Sequence, residues 1–62
     1  MKRRELIKKI EQTGAVFIRH GGKHDIYQNP TTKIFQPVPR HIEIDEHLAR
    51  AIIRMLANDK SQ

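Results

Sequence analysis

The sequence predicts an α+β domain of order α-β-β-β-α, a two-layer sandwich with two helices on one face of an antiparallel sheet. Three observations predict it. Apolar residues recur at helical spacing at both ends of the chain. The middle carries three β-branched or aromatic runs, and Gly21-Gly22 and Asn29-Pro30-Thr31-Thr32 separate them. No cysteine is present, so packing of helix on sheet must hold the fold without disulfides or thiolate metal sites.

The first helix is expected over residues 2–13. Leu6, Ile7 and Ile10 form its apolar stripe, and Gly14 is its natural stop. So short a helix is unstable alone, so the stripe must dock on something. Residues 15–20 read as a strand with apolar residues on both alternating sets, Val16 and Ile18 against Ala15 and Phe17. Both of its faces are therefore expected to be partly covered. Gly21-Gly22 supplies the hairpin connection. Residues 24–28 return, with His24, Ile26 and Gln28 on one side and Asp25 and Tyr27 on the other. Because each side mixes apolar and polar residues, the alternation does not choose the buried one.

Lys33 to Gln36 reads as a third strand. Pro37 cannot donate to a ladder, so this strand is an edge or ends there. Residues 40–44 connect to a second helix over 46–57, with Asp45 as its N-cap. Leu48, Ala49, Ile52, Ile53, Met55 and Leu56 give that helix a broad apolar face. Asn58 to Gln62 reads as a frayed polar tail. The expectation is one domain over residues 1–62, with no repeat and no linker.

Sixty-two residues bury only a small core. The basic N-terminus lacks the apolar stretch of a signal peptide, and no run approaches membrane-spanning length. A soluble cytoplasmic protein is expected. Twelve Lys and Arg oppose seven Asp and Glu, a net charge of +5. That balance favours a polyanion or an acidic protein partner over an acidic-surface role. Lys2, Arg3, Arg4, Lys8 and Lys9 form a basic helical face that is either solvated or turned to RNA phosphates.

The candidate chemistry gathers at Gly21 to Tyr27. Histidine titrates nearest working pH and is the usual general acid or base. His24 follows a glycine turn where a phosphate or ribose can approach the backbone. Lys23 and Arg40 are candidates for phosphate contact, and His41 is either a second proton-transfer group or an ordinary loop residue. His20 and His24 are four apart, but the glycines break any helix between them and no third ligand is evident. No metal site is expected. Tyr27 and Phe17 are read as core rather than as base-stacking platforms. His47 is read as exposed.

Gly22-Lys23-His24-Asp25-Ile26-Tyr27 resembles the glycine–x–histidine–x–x–aromatic signature of the HicA-type toxins, small bacterial ribonucleases. The opening helix, Gly14, Ile18-Arg19, Val38-Pro39-Arg40-His41 and the closing helix from Leu48 to Leu56 follow in the family's order. The resemblance covers nearly the whole chain. It implies a fold similar to a double-stranded-RNA-binding domain and cleavage of messenger RNA. It maps the catalytic histidine onto His24 and the turn glycine onto Gly22. It implies no cofactor, and a HicB-type antitoxin as partner. The residue between Gly22 and His24 is commonly serine or threonine in the family; here it is Lys23, a cation in place of a hydroxyl.

Metal-free RNA cleavage uses the ribose 2′-OH as nucleophile, so the protein need supply only a base, cations for the developing charge and an acid. Two other readings use the same features. One is a non-catalytic RNA-binding module of similar fold. Such a module would contact phosphates from the start of its last helix, and Ile44-Asp45-Glu46-His47 is acidic there. The other is a purely structural subunit whose basic surface meets an acidic one.

Overall fold

In a computed structural model, which describes residues 1–57, the order is α1 (Arg3–Gln12), β1 (Val16–Gly21), β2 (His24–Asn29), β3 (Ile34–Pro39) and α2 (Glu46–Ala57). The strands form an antiparallel meander in the order β1-β2-β3. The expected tail, 58–62, lies outside the described residues. No helix among the described residues is long and apolar enough to cross a membrane.

Leu6 and Ile10 of α1 meet Ala49, Ile52 and Leu56 of α2 above Tyr27 and Val38 of the sheet. Ala15 and Ile44 close the ends of this core. Asp45 caps α2 as expected, accepting a hydrogen bond from the Leu48 amide at 3.1 Å. The apolar face of α2 is wider than its contact, and Leu48 and Met55 stay exposed.

The chain entering α1 pairs with the connector before α2. Lys2 bridges Glu43, the Arg3 amide donates to the Ile42 carbonyl, and the Ile44 amide donates to the Met1 carbonyl. This satisfies a first-turn amide that a helix leaves without an internal partner. It also fixes Arg3 beside the sheet.

Burial chooses the face of β2 that the alternation left open. Asp25, Tyr27 and Asn29 point to the helices; His24, Ile26 and Gln28 point away. The outer sheet face is uncovered, as a two-layer fold requires, and leaves Phe35 and Val16 exposed.

The structure corrects four expectations. Residues of β1 are exposed on both sides rather than partly covered, because α2 lies over β2 and β3 and the helices leave this edge bare. Phe17 is therefore 46% exposed, although its ring packs edge-on against Tyr27 at 5.7 Å. Gly21 is the last residue of β1, not part of the turn; the loop is Gly22-Lys23. Lys33 has a positive φ of 69° and ends the second turn, so β3 begins at Ile34. The strand then runs through Pro37 to Pro39, which an edge strand allows because a proline can turn its missing donor to the solvent side.

Candidate active site at the end of the first hairpin

The β1–β2 hairpin turns on two residues. Gly22 has φ +57°, and Lys23 stays at negative φ. A positive φ at the first central position alone is the II′ pattern, which favours glycine there. A Cβ at Gly22 would meet nothing within 4 Å, so the glycine serves the backbone conformation and leaves the tip bare.

The β2–β3 register sets Pro39 opposite His24. The two residues after β3, Arg40 and His41, therefore arrive beside the turn. Gly22, Lys23, Arg40 and His41 line one shallow, open concavity. His24 begins β2 next to it, exposed, with its side chain on the outer face. Its ring is not part of the lining. The guanidinium of Arg40 approaches the His24 backbone carbonyl at 3.4 Å, not the ring.

On the helix side of the same hairpin end lies a cluster that the residue pattern did not announce. Asp25 is the hub, its side chain 13% exposed. Arg3 donates to Oδ2 at 2.7 Å, and its Nε donates to the Pro39 carbonyl at 2.9 Å. Arg40 donates from Nε to Oδ1 at 3.0 Å. His20 Nδ1 lies 2.7 Å from the same oxygen. The hydrogen bond from His20, together with that from Arg40, holds the carboxyl below its ordinary value against the opposing pull of burial. Arg3 thus leaves the basic helical face to which it was assigned, while Lys2, Arg4, Lys8 and Lys9 remain exposed on it.

The two-residue turn sets His20 opposite Asp25, and a β-bulge then brings Phe17 onto the same face. Phe17 pairs with Tyr27, Arg19 with Ile26 and His20 with Asp25, so Ile18 is the extra residue. The insertion flips the alternation and puts Phe17 and His20, three apart, on one face. Their rings stack at a tilt with centroids 5.0 Å apart. The missed signal was the turn length: with Gly22-Lys23 as the loop, His20 and Asp25 become direct cross-strand partners.

Among the described residues, no group of three or more His, Asp or Glu side chains is arranged to hold a metal ion. What the hairpin end does offer is a set of imidazoles and cations around a bare backbone turn. The fold is that of a small α+β protein with two helices packed on a three-stranded antiparallel sheet. The profile of the HicA toxin of bacterial toxin-antitoxin systems matches residues 3–56, nearly the full length, and the chain belongs to the HicA toxin family. No curated protein and no solved structure matches it. Membership makes it the toxin of a toxin–antitoxin pair and implies an antitoxin partner.

Proposed function

We propose that this HicA toxin is a metal-independent endoribonuclease that cleaves messenger RNA in the cytoplasm. The observation that supports this reading most is the convergence of Gly22, Lys23, Arg40 and His41 on one concavity beside His24. Lys23 and Arg40 supply cations for phosphate. His24 is the proton-transfer group, with His41 within the same lining. The ribose 2′-OH serves as nucleophile, so DNA is not a substrate. The partner is a HicB-type antitoxin whose acidic surface covers His24 and excludes RNA.

The test is incubation of purified protein with single-stranded RNA in the presence of a chelator. Cleavage of RNA but not of the matching DNA is expected. His24→Ala should keep its circular dichroism, melting temperature and RNA binding while kcat falls by about 100-fold or more. Wild-type cleavage in that variant overturns the role of His24. A mobility shift without any cleavage by the unaltered protein overturns the enzyme reading in favour of an RNA-binding module.

A further inference from the structure

We infer that His20, oriented by Asp25, is the second proton-transfer group of the site, the base that His24 lacks as a partner. The inference rests on the ribonuclease reading above and deepens it.

Four observations carry it. His20 is the histidine with a carboxylate partner among the described residues, at 2.7 Å; neither His24 nor His41 has one. An ionised carboxylate accepts and cannot donate, so Nδ1 carries the proton and the neutral ring keeps its lone pair on Nε2. The ring is held on its other side by Phe17, yet the side chain is 72% exposed, so the lone pair is both oriented and reachable. The carboxylate is itself fixed by Arg3 from α1 and by Arg40 from the end of β3, and the half-exposed Arg40 also lines the concavity. An oriented imidazole beside a guanidinium is what phosphodiester transfer needs on its attacking side.

The register places His20 and His24 on opposite faces of the hairpin end, with Gly21, Gly22 and Lys23 between them. In-line displacement puts the attacking and leaving oxygens on opposite sides of phosphorus. A ribose-phosphate lying across the bare tip meets one histidine on each side. His20 Nε2 takes the proton of the 2′-OH as the O2′–P bond forms. The P–O5′ bond breaks, and the departing oxygen takes the proton of the His24 imidazolium. The products are a 2′,3′-cyclic phosphate and a 5′-hydroxyl, with atoms and charge balanced. Asp25 is a positioning residue, acting through His20.

The experiment measures kcat/KM for RNA cleavage across pH 5–9 for the unaltered protein, His20→Ala, His20→Gln and His24→Ala, with melting temperatures and product ends determined in parallel. A base must be unprotonated to act, so its removal abolishes the limb that rises with pH. The charged groups facing His20 through Asp25, Arg3 and Arg40, stay in place in all variants. The expected result is a bell-shaped profile with cyclic-phosphate ends for the unaltered protein. His20→Ala and His20→Gln lose the rising limb and about 100-fold or more in kcat with KM unchanged, and the lower melting temperature left by the lost Asp25 hydrogen bond does not account for the lost limb. His24→Ala loses the falling limb. Cleavage by the unaltered protein together with a full profile in both His20 variants overturns this proposal and leaves the ribonuclease reading standing. A loss in His20→Ala that tracks a lowered melting temperature, with both limbs kept, also overturns it, because a merely structural role predicts that. No cleavage by the unaltered protein overturns both.

Discussion

Asp25 shows how much one residue can do in so small a protein. Its carboxyl joins α1 through Arg3, β1 through His20 and the segment after β3 through Arg40. Its pKa lies below the ordinary 3.8, chiefly through the His20 hydrogen bond. A depressed carboxylate contributes stability that is present above its unfolded pKa and lost as pH falls through the folded one. The melting temperature should therefore drop as pH falls below about 4. Glu43 and Glu46, also held below their ordinary values by the N-terminal amine, Lys2 and Arg50, add to that slope. Asp25→Asn should be less stable at neutral pH and show a shallower acid slope than the unaltered protein. Thermal unfolding between pH 2 and 6 measures both; equal slopes would mean that the hub makes no net contribution.

At the scale of elements, the turns decide more than the strands do. Asn29 reads in sequence as a turn former before Pro30. It is that, since its Oδ1 accepts from the Thr31 amide at 2.9 Å. It is also 3% exposed, and its Nδ2 donates to the Leu56 carbonyl at 2.6 Å and to the Thr13 carbonyl at 3.3 Å. One amide thus satisfies a carbonyl in the last turn of α2 and one just past α1. Asn29→Ala leaves those groups without their donor and should cost about 1–3 kcal/mol, read by urea unfolding. The bulge at Ile18 works at the same scale. Without an extra residue, strict alternation along β1 would place His20 with Val16 and Ile18, on the face opposite Phe17. Deleting Ile18 should regularise the ladder and keep His20 opposite Asp25, because the two-residue turn sets that pairing; unchanged His20 ring nitrogen shifts check it.

For the whole molecule, size sets the terms. At the usual stability per residue, a folded chain of 62 residues has a net stability of about 3–9 kcal/mol. Ile52 is 2% exposed within the one core cluster of described residues. Ile52→Ala should cost about 2–5 kcal/mol and leave the protein partly unfolded at 37 °C, which circular dichroism measures directly. The net charge of +5 acts over the whole surface as well. Because Lys2, Arg4, Lys8 and Lys9 remain exposed, the surface keeps most of the basic face read from α1.

The element order and the ends of most elements were legible because they rest on local chemistry. Gly14 stops α1 at φ +100°, Asp45 caps α2, and the glycine pair and Asn29-Pro30 interrupt the β-branched runs. The composition of the concavity was legible too, since Gly22, Lys23, Arg40 and His41 were chosen by residue type and a register of nearest neighbours then joined them. Other features depended on contacts far apart in sequence. The buried face of β2 is chosen by where the helices pack, because Asp25 and Tyr27 offer no more apolar surface than His24 and Ile26 do. The exposure of β1 follows from α2 covering only β2 and β3. The pairing of His20 with Asp25 needed the turn length, Phe17 reached the same face through the bulge, and two arginines from distant segments fix the carboxylate. Short-range propensity determined what the elements are; only tertiary packing decided which side chains of the hairpin face a partner, a core or each other, because burial is a property of the assembled layers and not of any one strand.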